Sequence, residues 1–355
     1  MTASLRPAGS GSGSRPLVAI IGGGISGLSC AWLLSRSCDV RLYEVENRLG
    51  GHSDTVDWQG AGVDNGFIVY NERTYPNLTA LLEHMRVRTQ PSDMSFALSL
   101  DQGRFEYSGG NLRGLIAQPG NLLRPSYWSM LRDTLRFFQQ ARVDADREIS
   151  GSLEDYLNAG GYGRAFRELY LYPMAAAIWS TPAMEVGAQP AEAFLRFNRN
   201  HGLLDLTNRP VWRTVSGGSR SYVEAMGQAL GPQVRLGRRV HAVRRNDHGV
   251  TVTCETGEQH DFDHVVLATH ADDSQRMIDG PTDLDRELLG AFAYADNEAV
   301  MHTDVRAMPR RRAAWSSWNY LARSTAGQKR PAITYWMNRL QNLEGYQPVF
   351  VTLNP

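Results

Sequence analysis

Glycines at positions 22, 24 and 27, the carboxylate of Glu44 and the glycine pair Gly50-Gly51 carry the chemistry most readily read from this chain. The apolar run Val18-Ala19-Ile20-Ile21 enters the turn Gly22-Gly23-Gly24, and the pattern predicts a helix over 26–36, opening at Ser26. Strand, glycine turn and helix in that order make a diphosphate cradle. Gly22 allows the tight turn, Gly24 lets backbone approach the phosphates, and Gly27 lets the helix pack against the strand. The free N–H groups and dipole of the helix N-terminus favour the negative charge. Glu44 follows a second strand over 39–43, at the spacing of a carboxylate that accepts hydrogen bonds from ribose hydroxyls. A carboxylate there repels a 2′-phosphate, so NADP does not suit the site.

A dinucleotide fingerprint alone leaves the cofactor open, and the second glycine pair narrows it. Gly50 and Gly51 follow Glu44 closely, and Arg48 beside them offers a guanidinium for a charge-assisted phosphate contact. Glu44 to Thr55, read as E-x-x-x-R-L-G-G-x-x-x-T, resembles the motif of flavin-containing amine oxidoreductases and the related carotenoid desaturases. The resemblance implies FAD as cofactor, held by Gly22, Gly23, Gly24, Ser26, Gly27, Glu44, Arg48, Gly50, Gly51 and His52. The last of these stands where many relatives have arginine. The motif's later segments match Val63-Asp64-Asn65-Gly66, the small-residue loop Val215-Ser216-Gly217-Gly218-Ser219, and Phe262 to Thr269. By the same resemblance the Val240 backbone meets the adenine and Thr269 ends a strand beside the diphosphate.

The implied fold class is α/β: a Rossmann-like FAD-binding domain with a discontinuous α+β substrate domain. Residues 1–16, rich in glycine and serine, are expected as a flexible tail. The FAD domain is expected over 17–90 and 206–272, and the substrate domain over 91–205, helical, and 273–355, a sheet. From 78 to 200 the pattern is helical, with segments at 78–85, 127–142, 153–157 and 162–178. Strands around the turn Asp247-His248-Gly249 precede a helix at 283–289, and strand-like runs follow at 299–303, 313–320, 333–337 and 349–353.

The composition excludes other classes. Lysine plus arginine total 37 against 37 acidic residues, so no global field attracts nucleic acid. Cys30, Cys38 and Cys254 are too scattered for a disulfide framework or zinc site. No metal is expected; His260 and His264 on one strand face, beside Asp261 and Asp263, read as solvated. No run reaches the ~18 apolar residues of a membrane span. A cytoplasmic protein is expected, with peripheral membrane contact through 112–142 as the open question. That stretch interleaves Arg113, Arg124, Arg132, Arg136 and Arg142 with aromatic and leucine residues. The preferred reading instead turns Leu131, Leu135 and Phe138 into the core and leaves the arginines in water.

The flavin would carry the hard chemical step, so few protein acids or bases are needed. G-x-S-x-G, H-E-x-x-H and CxxC are all missing from the sequence. Many amine oxidases of the resembled family hold a lysine near flavin N5; here the corresponding strand offers His302, and the sole lysine, Lys329, falls in a polar stretch expected as a loop. His302 is therefore the candidate catalytic residue, and an electron acceptor other than oxygen is expected, its identity open. Trp315, Trp318, Tyr320, Tyr335 and Trp336 are candidate cavity walls. The family's closing G-D-type segment has no counterpart before Pro355, so the chain is expected to lack the part that completes the flavin ring site. The expected function is FAD-dependent oxidation of a C–N or C–C bond in a small or lipid-like substrate. The alternatives are a desaturase or isomerase of a hydrophobic substrate, and a non-catalytic flavoprotein that binds only the ADP half of FAD.

Overall fold

The computed structural model describes residues 15–179, 182–322 and 332–355. The expected tail, but for its last two residues, and Lys329 lie outside them. The chain divides into two compact units, one reaching to Val56 and resuming over Ser219–Ala295, the other comprising Asp57–Gly218 and Asp296–Pro355.

The first unit is built on a four-stranded parallel sheet in the order Val234–Arg235, Asp39–Tyr43, Leu17–Ile21, His264–Leu267. Val18, Ala19, Ile20 and Ile21 are all buried, as a central parallel strand covered on both faces requires. The helix Ile25–Leu34 follows that strand, and Arg220–Leu230 packs beside it. This is the Rossmann-like arrangement. A smaller sheet pairs Val240–Asn246 with Gly249–Cys254 across the expected turn, then with Gln259–Phe262 and Ile278–Asp279 on its two sides. His260 and His264 thus belong to different strands of different sheets, and do not share a face. The reason is Asp263, whose N–H donates to Leu17 O while its carboxylate accepts from Leu17 N, turning the chain into the parallel sheet.

The second unit carries a six-stranded sheet in the order Ala299–His302, Phe350–Leu353, Ala332–Trp336, Trp318–Ala322, Phe96–Leu100, Phe105–Ser108. All neighbours are antiparallel except Trp318–Ala322 with Phe96–Leu100. The helices Pro76–His84, Pro125–Asp144 and Leu153–Ala159 appear near the expected places, and Ala191–Asn200 adds one within the helical stretch, outside the segments expected there. The segment expected at 162–178 is helical from Arg164 to Trp179, interrupted by a π turn over Arg167–Leu171.

Several expectations need correction. The stretch read as helical from 78 to 200 contains three strands, Thr89–Pro91, Phe96–Leu100 and Phe105–Ser108. Phe105–Ser108 does alternate apolar and polar residues, but over four residues only, and its polar members are buried as well: Glu106 accepts from Ser99 Oγ and Arg311, and Ser108 Oγ meets Ser316 Oγ. The run 313–320 is a strand only from Trp318; Arg312–Ala314 is a 3₁₀ turn, and the Ser316 N–H is taken by Asn319 Oδ1 at 3.0 Å. Residues 57–90 and 206–218 cluster with the second unit, because Val69–Asn71 and Thr89–Pro91 both pair with Trp212–Val215. Residues 273–295 cluster with the first, where Arg245 grips Asp285 at 3.1 Å.

Candidate functional site

The three glycines of the fingerprint divide into two that are crowded and one that is open. At Gly22, φ is +109°, and a Cβ would stand 2.6 Å from Ala268 O. At Gly27 a Cβ would stand 1.8 Å from Gly22 O, so no other residue fits. At Gly24 a Cβ would meet nothing nearer than Gly50 O at 3.9 Å. The space over the helix N-terminus is therefore open, and no side chain caps the helix there. Uncapped N–H donors facing open space are what a diphosphate needs.

Glu44 sits at the end of the second strand, 8% exposed. Its Oε2 accepts from Gly23 N at 2.6 Å and its Oε1 from Glu46 N at 2.8 Å. Each carboxylate oxygen keeps a further acceptor position, so the geometry leaves room for two ribose hydroxyls. The Gly50-Gly51 turn reaches the first glycine turn through Gly50 N, which donates to Gly23 O at 2.9 Å. Arg48 is occupied in shaping this turn: it pairs with Glu46 at 3.0 Å and Asp54 at 3.4 Å, and points two weak bonds at Gly51 O. Thr55, the last motif residue, accepts from Arg220 N at 3.0 Å, and Ser53 Oγ meets Tyr222 Oη at 2.6 Å. These two contacts tie the motif loop to the returning helix.

Ser26 is exposed on the first turn of the helix, and Val240 is buried in its strand. Thr269 shares a hydrogen bond with Ser274 Oγ at 2.8 Å. His52 stacks on His270 at 5.7 Å, and His270 on Tyr294 at 4.3 Å. His270, which follows directly on Thr269, carries no motif that marks it in the sequence.

The second unit holds an apolar cavity of about 500 Å³, lined by Met94, Phe96, Met130, Phe138, Tyr170 and Trp318 among others. Exposed Leu206 and Val211 also line it, so its lip is apolar. Of the five aromatics expected as walls, Trp318 is a lining residue; Trp315 and Trp336 instead pack on each other, and Tyr320 and Tyr335 are buried in the sheet core. Tyr170 belongs to the π turn, an irregularity that often marks a functional surface. Burial pushes its hydroxyl up to about 12, against the opposing pull of Arg209. The carboxylate on the wall is Asp93. Burial works to raise its pKa, but hydrogen bonds from Ser95, Ser317 and Arg339 outweigh it and hold the group below the usual range. Ser317 Oγ donates at 2.7 Å and Arg339 Nη2 at 2.9 Å, so this charge is already compensated.

His302 is not among the residues lining the cavity. Its Nδ1 accepts from Asp304 N at 3.1 Å, which leaves the proton on Nε2, facing Thr352 Oγ1 at 2.6 Å. Thr352 in turn meets Thr334 at 2.8 Å. Burial lowers the imidazole pKa, partly offset by Asp304, and both ring nitrogens are engaged.

The family model of flavin-containing amine oxidoreductases matches residues 25–328, most of the chain, and the protein belongs to that family. FAD is accordingly its cofactor. Coproporphyrinogen III oxidases of Mycobacterium tuberculosis and Mycobacterium bovis are each 25% identical over 288 residues, which cover 74% of this chain. The match spans 60% of the length of those relatives. Among solved structures, putrescine oxidase bound to putrescine superposes with a TM-score of 0.67 at 17% identity, over 96% of this chain and 75% of that one. A fatty acid isomerase from P. acnes that produces CLA superposes with a TM-score of 0.64 at 14% identity, over 96% and 76%. At these identities the likeness is one of fold. No helix among the described residues is long and apolar enough to cross a membrane.

Proposed function

We propose that the protein is an FAD-dependent oxidoreductase whose cavity takes an apolar, lipid-like substrate and whose reaction is at a C–C bond. Gly22, Gly23, Gly24, Ser26 and Gly27 would hold the diphosphate, Glu44 the ribose, and the Gly50-Gly51 turn the second phosphate approach. When bound, FAD supplies a two-electron acceptor. The cavity residues exclude water and orient the substrate.

The observation that carries the choice of substrate is the state of Asp93. A site for a cationic amine needs an unspent carboxylate, since an ammonium taken out of water without one is costly. Asp93 already receives Arg339, Ser317 and Ser95, and the remaining wall is dominated by methionine, leucine and aromatic side chains. Burial of apolar area favours a hydrocarbon there. An isomerisation or desaturation in such a chain suits these walls better than amine oxidation.

The test begins with the visible spectrum of the purified protein, followed by anaerobic titration with unsaturated long-chain acyl compounds and with diamines. Binding of the acyl compounds with perturbation of a resolved flavin band supports the proposal. A diamine that reduces the flavin faster overturns the substrate class. A colourless protein that binds ADP as tightly as FAD would instead favour a chain that holds the nucleotide half alone.

A further inference from the structure

The segment between the strand Phe105–Ser108 and the end of the helix Pro125–Asp144 exposes an apolar surface that the cavity does not use up. Leu112 is 80% exposed, Leu123 87%, Trp128 54% and Leu135 48%, with Ile116 and Leu122 beside them in sequence. The expectation that Leu135 turns into the core is thus corrected. The buried face of the helix is Tyr127, Met130, Phe137, Phe138 and Ala141, and Leu135 falls outside that arc.

Charge in this segment is one-sided in a chain whose formal net charge is zero. Residues 109–144 contain five arginines, and their two acidic residues, Asp133 and Asp144, are both buried. Arg132 and Arg136 share Asp133, and Arg142 pairs with Asp205 at 3.5 Å. Neither Arg113 nor Arg124 has a carboxylate partner among the described residues; Arg124 donates to Arg104 O at 3.0 Å and lies over the Phe105 ring, and Arg113 is exposed. Trp128 is held with its Nε1 donating to Leu122 O at 2.8 Å, an aromatic with its polar atom satisfied and its ring half in water. Exposed leucines and a tryptophan among arginines that outnumber the acidic residues of the segment complement an apolar layer beneath a negatively charged surface.

We infer that this face docks on an anionic lipid bilayer. Two elements join the face to the cavity. Leu115 lines the cavity while Leu112 and Ile116, on the same short turn, are exposed. Leu131 lines the cavity while Trp128 and Leu135, within about 60° of it around the helix, face outward. A substrate leaving the acyl layer would therefore meet the cavity wall at the docked face. That supply route rests on the apolar-substrate proposal; the docking itself does not.

The experiment is co-sedimentation of the protein with vesicles of phosphatidylcholine, with and without phosphatidylglycerol. Binding should require phosphatidylglycerol and weaken with added salt. Arg113→Gln should weaken it about fivefold, and Leu123→Ser about tenfold. Both side chains are exposed, so FAD affinity and thermal unfolding should stay unchanged, and Arg286→Gln in the other unit should leave vesicle binding intact. Equal binding to neutral vesicles, or full binding by both variants, would overturn the inference. So would self-association that Leu123→Ser abolishes in a protein that ignores vesicles, which would give the face to a second copy. None of these failures touches cavity binding measured with soluble acyl compounds, so the two proposals fail separately.

Discussion

The glycine cradle and the apolar cavity are built from different materials. Residues 22–27, with Glu44 and the Gly50-Gly51 turn, offer a ligand mainly main-chain groups and one carboxylate, supplied within a short piece of chain. The cavity offers side chains gathered from Ser92 to Trp318. A site made of backbone fails when a side chain is added where none belongs. A site made of side chains is retuned by single substitutions and keeps its fold, because volume-conserving exchanges in apolar walls are tolerated.

The largest test of this contrast is Gly24→Val. The added side chain has open space in the free protein and a backbone conformation valine accepts, so the thermal midpoint should move by no more than about 2 °C. FAD affinity, measured by titrating apo-protein, should fall by more than about 100-fold, because the valine occupies the diphosphate position. Unchanged affinity would break the assignment of the cradle. Next comes Glu44→Ala, which removes a charged acceptor from the ribose. Loss of one such interaction, about 1.5–3 kcal/mol, predicts FAD binding weaker by about one to two decades. This variant should also lose stability to urea, since Gly23 N and Glu46 N lose their shared partner. A drop in stability with full FAD affinity would make Glu44 a purely structural residue.

On the cavity side, Leu131→Phe should narrow the space and weaken an apolar ligand about tenfold. FAD binding should be untouched. Coupled losses in both titrations would dissolve the distinction between the two regions. The smallest effect concerns His302. Its pKa is lowered in the folded protein, so the neutral ring is the folded form. Its contribution to stability is complete above the ordinary value of 6.5 and is lost as pH falls below it. The ring is only partly buried, so solvent screening keeps the effect small. Thermal midpoints across this pH range should fall slightly more steeply in the wild type than in His302→Gln.

The same contrast explains what could be read in advance. The cradle is local, and each of its glycines has a mechanical reason visible in spacing: the turn at Gly22, the open approach at Gly24, the close packing at Gly27. The strand Leu17–Ile21 is legible as an apolar run before the glycine turn, and Asp39–Tyr43 from Val40, Leu42 and Tyr43 ahead of Glu44. The second binding mode of Glu44, to Gly23 N and Glu46 N, left no mark beyond residue type. The cavity was harder. Its sheet uses Phe96–Leu100 and Phe105–Ser108, runs of five and four residues that are too short for an alternation to stand out from the helical pattern around them. Trp315 and Trp318 look alike in sequence, yet one closes a core against Trp336 and Phe350 and the other lines the cavity. Only the pairing of distant strands decides between them. The engagement of Arg48 by Glu46, Asp54 and Gly51 O left no mark in the sequence beyond residue type.

The hydrogen bond from Leu17 N to Asp263 joins residues 246 positions apart, in the same sheet that positions the glycine cradle. During synthesis, the first strand and its helix leave the ribosome long before the strand His264–Leu267 that completes their sheet. At ordinary elongation rates that delay is roughly 10–50 s. Through it the strand Leu17–Ile21 has an unpaired edge, rich in valine and isoleucine, of the kind that invites wrong partners. Cofactor capture is then a late event in the life of each molecule. Producing the protein in flavin-poor cells should raise the aggregated fraction chiefly by leaving completed sheets unliganded, rather than by slowing their first steps.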